Sequence, residues 1–114
     1  MGECIFCKIR DGEMRATVVH EDDEVMAFED INPQAPTHVV IIPKRHIATM
    51  NDLDDGDAQL VGRLFLVAKD LAAKRGHAET GYRVVMNTNR EAGQSVFHIH
   101  LHLLGGRPMR WPPG

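Results

Sequence analysis

Three histidines, each separated from the next by one residue, stand near the end of this 114-residue chain as His98, His100 and His102. The residues that alternate with them are apolar: Phe97, Ile99, Leu101 and Leu103. A period of two predicts a half-buried strand, on which successive side chains point to opposite faces. We therefore expect the three imidazoles to share one face while the apolar side chains enter the core. Because imidazoles titrate near neutral pH, three of them on one rigid strand predict a reaction site.

Cys4 and Cys7 form a second cluster of chemically useful side chains near the N-terminus. A Cys-x-x-Cys pair is compatible with a redox centre, half of a metal site, or two small buried residues. A thioredoxin-like pair should begin a helix that follows a strand, and the sequence meets neither condition. Tetrahedral zinc needs two further ligands, which His46 and His98 could supply. We expect zinc as a structural cofactor there, since four protein ligands leave no open position for catalysis.

Length and composition favour a single domain without export or membrane segments. The 114 residues lie near the usual size of one domain. A net charge of -3 gives no support for a nucleic-acid or anionic-membrane partner. The N-terminus has no apolar signal core, and no later apolar run is long enough to span a bilayer. These features predict a cytoplasmic protein whose two cysteines stay reduced.

The pattern of apolar residues predicts the elements that must position these groups. We expect a short helix over residues 4–10 and a long helix from Asp54 or Asp55 to about Arg75, where Gly76 is a natural end. Strands are expected over residues 17–20, 25–28, 38–42, 82–87 and 98–104. This order predicts an α+β fold: an antiparallel five-stranded meander sheet with one long helix and a short N-terminal helix. An exposed sheet edge favours a dimer. His20 and His77 are expected to be surface residues.

The alternation His-φ-His-φ-His-φ-φ, where φ is apolar, resembles the signature of the histidine triad (HIT) superfamily of nucleotidyl hydrolases and transferases. The resemblance points to its Hint branch and extends over the chain through these matches: Ile5-Phe6, Phe28, Asp30-Ile31, residues 33–38, residues 42–44, Asn87, residues 92–96 and residues 111–114. It implies one HIT domain over residues 1–114 and a homodimer with a dimeric sheet. It also implies that the tail, residues 105–114, reaches the partner's active site, where Trp111 contacts the leaving group.

The resemblance implies an enzyme that hydrolyses the P–N bond of purine nucleoside 5′-phosphoramidates, or related acyl-nucleotidyl substrates, through a covalent nucleotidyl-histidine. An imidazole attacks phosphorus only when it is neutral, with one nitrogen free and the other proton held by a fixed acceptor. His100 is the middle histidine and the natural nucleophile. A nucleotide-binding module is less favoured, because binding alone does not require a reactive histidine between two others. A transferase is disfavoured by the small size of the chain.

The resemblance also assigns roles to residues that would otherwise be ordinary turn or core positions. It assigns Asp30 to the ribose hydroxyls, His38 to support of the triad, and the triad with Ser95 to catalysis. Ser95 is expected to position the phosphate rather than act as an acid, since a hydroxyl is a poor acid. Phosphate contacts are expected from one loop and two further residues: Gly93, Gln94, Ser95, Val96, Asn87 and His102. An apolar slot for the purine is expected from Ile5, Phe6, Ile9, Phe28 and Ile31, with Met14 at its rim.

The four candidate zinc ligands are similar to the Cys-x-x-Cys, His, His site of galactose-1-phosphate uridylyltransferases and of many bacterial triad proteins. Many Hint proteins lack both cysteines and need no metal. The resemblance therefore leaves the bound metal open, and it implies no cofactor for the chemistry itself.

Overall fold

The computed structural model describes residues 4–114 and has an α+β fold. The two α-helices and five strands, in chain order, are α1 Ile5–Arg10, β1 Val18–Glu21, β2 Val25–Glu29, β3 Thr37–Pro43, α2 Ala58–Lys74, β4 Tyr82–Val85 and β5 Leu101–Gly105. Short 3-10 turns cover Met50–Asp52, Asp55–Asp57 and Arg90–Ala92. The predicted fold class, the number of strands and both helices are confirmed. Within residues 4–114, no helix combines the length and apolarity needed to cross a membrane.

The five strands form one sheet in the order β1-β2-β3-β5-β4, and every neighbouring pair is antiparallel. Strands β1 to β3 make the predicted meander. The meander does not continue to β4, because β5 takes the place beside β3 and the chain reaches β4 by way of α2. β5 is therefore a central strand, hydrogen-bonded to β3 on one side and to β4 on the other.

Strand β3 separates two cores because it is buried on both faces. Val39 and Ile41 point to the face covered by α2, where they pack with the buried residues of that helix, Leu64, Val67, Ala68, Leu71 and Ala72. The alternate residues Val40 and Ile42 point to the other face and pack with Phe6 of α1. Since Val40 lies opposite His102 in the ladder, this second face also carries the histidines.

The histidine segment is a strand over only part of its predicted length. β5 begins at Leu101, so His98 and His100 precede it. The ladder between β3 and β5 ends at the Ile41–Leu101 pair, and two residues further along β3 lies Pro43, which has no N–H to donate. Instead, the N–H of Ile99 donates to the carbonyl of Ile47 (2.7 Å).

Burial along this segment follows the prediction except at its first residue. Ile99, Leu101 and Leu103 are buried, as the alternation predicted. Phe97 was predicted to enter the core and is 47% exposed, so that prediction was wrong. Phe97 lies outside the ladder, where the alternation of faces no longer applies. Strand β4 was predicted to reach residue 87 and ends at Val85, which pairs with His102 next to the first residue of β5.

Candidate active site and metal centre

A cavity of about 290 Å³ lies on the sheet face that carries the histidines. Every residue predicted for the purine slot lines it: Ile5, Phe6, Ile9, Met14, Phe28 and Ile31. Ile31 is 99% exposed, so it is a rim residue rather than a buried wall. The polar candidates Asp30, Ser95, His100 and His102 line the same cavity, together with Val96. Its mixed lining and its size near 300 Å³ are typical of a small-ligand site.

Four further residues line this cavity and were not predicted: Arg15, Ala16, Glu29 and Val40. Val40 could have been found, because it is two residues from His38 on the same strand face. Arg15 and Ala16 lie between α1 and β1, where no periodicity marks them. The predicted residues Asn87, Gly93, Gln94 and Trp111 do not line the cavity of their own chain.

The imidazole of His100 is held in one tautomer. Its Nδ1 lies 2.8 Å from the carbonyl oxygen of His98, and a carbonyl only accepts, so Nδ1 carries the proton. The Nε2 of His100 then has a free lone pair. Burial lowers the pKa of His100, which keeps the ring neutral at physiological pH. His100 therefore has the protonation state that a nucleophile requires.

Two hydrogen bonds in series hold His102 in the other tautomer, with the proton on Nε2. The backbone N–H of Gln34 donates to Nδ1 of His38 (3.0 Å), which places the proton of neutral His38 on Nε2. That Nε2 donates to Nδ1 of His102 (2.8 Å). The proton of neutral His102 is then on its own Nε2. Burial, together with the neighbouring His100 and His38, lowers the pKa of His102 to about 4, so the neutral form prevails.

Asp30 lies beside this chain and also stabilises a turn. One carboxylate oxygen accepts from the backbone N–H of Asn32 (2.8 Å). The other lies 3.4 Å from Nε2 of His38 and 4.0 Å from Nδ1 of His102. Its charge raises the pKa of each of these histidines and opposes part of the effect of burial. Asp30 thus combines the turn-forming role and a position in the cavity wall.

The loop before the histidines is braced by Gln94 rather than by a ligand. Both amide hydrogens of the Gln94 side chain are used, on the carbonyls of Ala48 (2.8 Å) and Val96 (3.1 Å). Its side-chain oxygen accepts from the N–H of Asn89, and its own N–H donates to the carbonyl of Asn89. In this conformation Gln94 has no donor left for a phosphate. The hydrogen bonds of residues 4–114 include none from the N–H of Ser95, which is exposed at the cavity.

Cys4, Cys7, His46 and His98 converge on one point, and they could hold a metal ion. The distances between ligand atoms are 3.3 Å from Cys4 Sγ to His98 Nδ1, 3.4 Å from Cys7 Sγ to His46 Nδ1, and 3.2 Å between the two Nδ1 atoms. Ordinary Zn–S and Zn–N bonds at tetrahedral angles require about 3.5 Å between sulfur and nitrogen and about 3.3 Å between two nitrogens. The four side chains therefore fit a tetrahedral zinc ion.

His98 belongs to both the metal cluster and the catalytic segment. It is 0% exposed, and its Nε2 donates to the carbonyl of Pro43 (2.7 Å), which leaves the lone pair of Nδ1 directed to the cysteines. Burial lowers the pKa of His98 to about 4, so this lone pair is available at neutral pH. Burial also raises the pKa of the Cys7 thiol, and the adjacent Cys4 raises it further. A divalent cation would neutralise two adjacent thiolates.

The two remaining histidines were predicted to be surface residues, and each is half-buried in contact with a polar side chain. His77 is half-buried, and its Nε2 lies 2.8 Å from the hydroxyl of Thr37. His20 is also half-buried, and its Nε2 lies 2.7 Å from a carboxylate oxygen of Asp22. The contact of His77 joins two segments that are 40 residues apart, whereas Asp22 is only two residues from His20.

Comparisons with known proteins agree with this geometry. Residues 11–109 match the family model of the HIT domain. The chain is 53% identical over 107 residues to a purine nucleoside phosphoramidase of Escherichia coli (strain K12), covering 94% of this chain and 90% of that protein. Its structure is similar to a HIT family hydrolase from Legionella pneumophila Philadelphia 1 (TM-score 0.97, 59% identity, 98% and 100% of the two chains). It is also similar to a histidine triad nucleotide-binding protein from Candida albicans (TM-score 0.81, 35% identity, 95% and 85%).

Proposed function

Since the chain belongs to the HIT domain family and is an enzyme of the histidine triad type, we propose that it hydrolyses purine nucleoside 5′-phosphoramidates. Related acyl-nucleotidyl substrates would fit the same chemistry. The observation that carries the proposal is that His100 and His102 line one cavity in different tautomers. One ring offers a lone pair to phosphorus, and the other offers an N–H to a phosphoryl oxygen.

In the proposed first step, Nε2 of His100 attacks the α-phosphorus and the P–N bond breaks. The electron pair of that bond goes to the leaving nitrogen, which takes up a proton from the solvent side of the cavity, where Ser95 is exposed. The imidazolium that forms keeps its proton on Nδ1, which still donates a hydrogen bond to the carbonyl of His98. Water then cleaves the nucleotidyl-histidine, so two easier steps replace one difficult displacement.

The binding contacts of the proposal follow the composition of the cavity wall. The apolar side chains of Ile5, Phe6 and Phe28 would pack on the flat purine. Asp30 would accept the ribose hydroxyls with the carboxylate oxygen that faces His38. The backbone N–H groups of Ser95 and Val96, with Nε2–H of His102, would donate to the phosphoryl oxygens. Gln94 would act by bracing this loop, and Gly93 and Asn87 would act from outside the cavity.

We further propose that the metal site binds structural zinc. Two thiolates and two imidazoles are ligands that zinc prefers, and their spacing is that of a closed tetrahedral site. Because the site is closed, the metal would supply no open coordination position. Cys4, Cys7, His46 and His98 would hold the zinc ion. The chemistry at phosphorus would use His100 and His102.

We also propose a homodimer in which the C-terminal tail completes the partner's site. Strand β4 is an edge of the sheet, so its outer backbone groups have no strand partner within residues 4–114. Trp111 is 82% exposed and does not line the cavity of its own chain. A large exposed tryptophan next to an open sheet edge suits contact with a second copy, at the leaving-group end of its substrate.

The proposed activity is tested with purified protein and adenosine or guanosine 5′-phosphoramidate as substrate. The expected result is release of ammonia and the nucleoside monophosphate by the wild type, with trapping of a nucleotidyl adduct on His100 by rapid acid quench. A dinucleoside polyphosphate serves as the comparison substrate and should be cleaved more slowly. The alternative of a binding module predicts tight nucleotide binding without turnover of either compound.

A further inference from the structure

We propose that Cys4 and Cys7 are positioning residues for the nucleotide cavity: zinc bound to them fastens helix α1, which carries the wall that contacts the base. The inference rests on the proposed function, since it concerns the same cavity. It goes beyond a structural metal, because it makes affinity for the base depend on metal occupancy.

Helix α1 is short for an element that forms a wall of the cavity. It has six residues, and among them only Phe6 is buried. A single helix of this length is not stable on its own in water, so its position depends on tertiary contacts. Ile5, Phe6 and Ile9 nevertheless line the cavity on three of these six positions. Any movement of α1 would therefore change the base-contacting wall directly.

The candidate zinc ligands join α1 to the two segments that flank the active site. Cys4 caps the N-terminus of α1, and Cys7 lies within the helix. His46 follows β3, and His98 precedes β5. Without a metal, the thiols make only weak contacts with the imidazoles, at 3.3 to 3.6 Å. Four bonds to one zinc would replace them and fix the helix in place.

Phe6 connects the candidate zinc site to the proposed nucleophile, His100. Its ring lies edge-to-face against His98 (5.9 Å between centroids), His100 (5.0 Å) and Phe28 (5.5 Å). The ring is therefore packed between a metal ligand, the proposed nucleophile and the opposite wall of the base slot. Release of α1 would withdraw this ring from all three, whereas the phosphate loop is held separately by Gln94. The base end of the cavity should loosen and the phosphate end should not.

The test compares two ligands that differ in the base. Dissociation constants for AMP and for ribose 5-phosphate are measured by calorimetry on zinc-loaded protein, zinc-stripped protein and Cys4→Ser/Cys7→Ser. Coupling between two sites is usually about 5- to 150-fold, and we expect AMP to weaken by a factor in this range while ribose 5-phosphate stays within about twofold. Zinc restored to the stripped wild type should rescue AMP affinity, but it should not rescue the double variant.

Arg63→Ala is the matched control for a general loss of stability. It removes the contact of Arg63 with Asp22 (2.8 Å), on the α2 side of the molecule. It should lower the melting temperature without changing the ratio of the two affinities. Equal AMP affinity in the zinc-loaded and the zinc-stripped protein, both folded, would overturn this inference and leave the proposed function standing. Absence of nucleotide binding in both forms would overturn both.

A second measurement needs no cysteine variant. By reciprocity, a nucleotide that binds the zinc-loaded form more tightly must raise the equilibrium affinity of the protein for zinc by the same factor. We expect saturating AMP to lower the zinc dissociation constant of the wild-type protein, measured by equilibrium competition with a chelator, and ribose 5-phosphate at saturation to leave it within about twofold. Identical zinc dissociation constants with and without AMP would contradict the inference even if every cysteine variant failed to fold.

Discussion

The imidazole of His100 donates its Nδ1 proton to the backbone carbonyl of His98, 2.8 Å away and two residues earlier in the chain. The backbone of His98 thus orients the proposed nucleophile, while its side chain faces Cys4 and Cys7. The side chain in turn is fixed by its bond to the carbonyl of Pro43. One residue therefore links the end of β3, the metal cluster and the reacting ring.

Replacement of His100 by Ala should abolish nearly all turnover of nucleoside phosphoramidates. Loss of one positioning hydrogen bond costs about 10²- to 10³-fold in kcat, and loss of a covalent nucleophile costs more. Ser95→Ala is the matched variant for a positioning group and should fall in the smaller range. Binding of AMP should persist in His100→Ala, because the apolar wall is unchanged. Single-turnover kinetics and calorimetry check both parts, and more than a tenth of wild-type kcat in His100→Ala would reject the nucleophile.

Stability should fall as the pH is lowered through the range set by His102. Its pKa is about 4 in the folded protein, chiefly because of burial, against about 6.5 for an unperturbed histidine. The unfolded chain therefore binds this proton at a higher pH than the folded protein does. The contribution of neutral His102 is complete above about pH 6.5 and is lost as the pH falls from there towards 4, at up to about 1.4 kcal/mol per pH unit.

Urea unfolding of the zinc-stripped protein across this pH range measures the effect. His102→Asn keeps a polar side chain without an imidazole, so its free energy of unfolding should fall less steeply between pH 6.5 and 4. The stripped protein is used because protons compete with a metal ion for its ligands, so zinc binding would add its own pH dependence. If the variant and the wild type showed the same slope, the buried neutral state of His102 would be incorrect.

Most of the site could be predicted from the sequence because its residue types occur in closely spaced motifs. The alternating histidines, the Cys-x-x-Cys pair and the apolar positions of α1 each lie within a few residues. The structure brings Ile5, Phe28 and His100 to one cavity, and it brings both cysteines to His46 and His98. The resemblance to the HIT family joined these motifs across the chain, which local periodicity could not have done.

The parts that could not be predicted depend on contacts between distant segments. The alternation at Phe97 failed because the ladder between β3 and β5 already ends at the Ile41–Leu101 pair, four residues after Phe97. The carboxamide of Gln94 is used up on Ala48, 46 positions earlier in the chain. The place of β5 between β3 and β4 likewise depends on the path of α2. A single sequence gives the type of each side chain but not the distant residue that it will contact in the folded chain.

Purified protein grown with zinc should contain about one zinc ion per chain, and a chelator should lower its melting temperature. A ligand that binds only the folded form stabilises it by about 2.7 kcal/mol at a hundred times its dissociation constant. Cys4→Ser/Cys7→Ser should bind no zinc, and its melting temperature should not respond to the chelator. Elemental analysis and differential scanning calorimetry measure both. Metal-free protein with two freely titratable thiols would show that the cluster is not a zinc site.

Deletion of residues 108–114 should change the ranking of amine leaving groups without dissociating the dimer. The tail follows β5 closely, and Gly105 is still part of that strand, so the extended segment begins at Gly106 rather than at Gly105. The carbonyl of Arg110 accepts from the Arg83 side chain of β4 (2.9 Å), which holds the tail beside β4, and Trp111 is 82% exposed. An amphipathic ring presented in this way is suited to contact a partner's substrate.

The measurement is kcat/KM for a series of phosphoramidates that differ only in the amine, on the wild type, the deletion and Trp111→Ala. If the tail sets leaving-group preference, both variants should reorder the series, while reaction with a substrate of minimal leaving group stays close to wild type. Sedimentation velocity should give a dimer for all three proteins at micromolar concentration, because the proposed interface is the edge strand β4 and not the tail. A monomeric wild type, or an unchanged ranking after deletion, would reject this role for the tail.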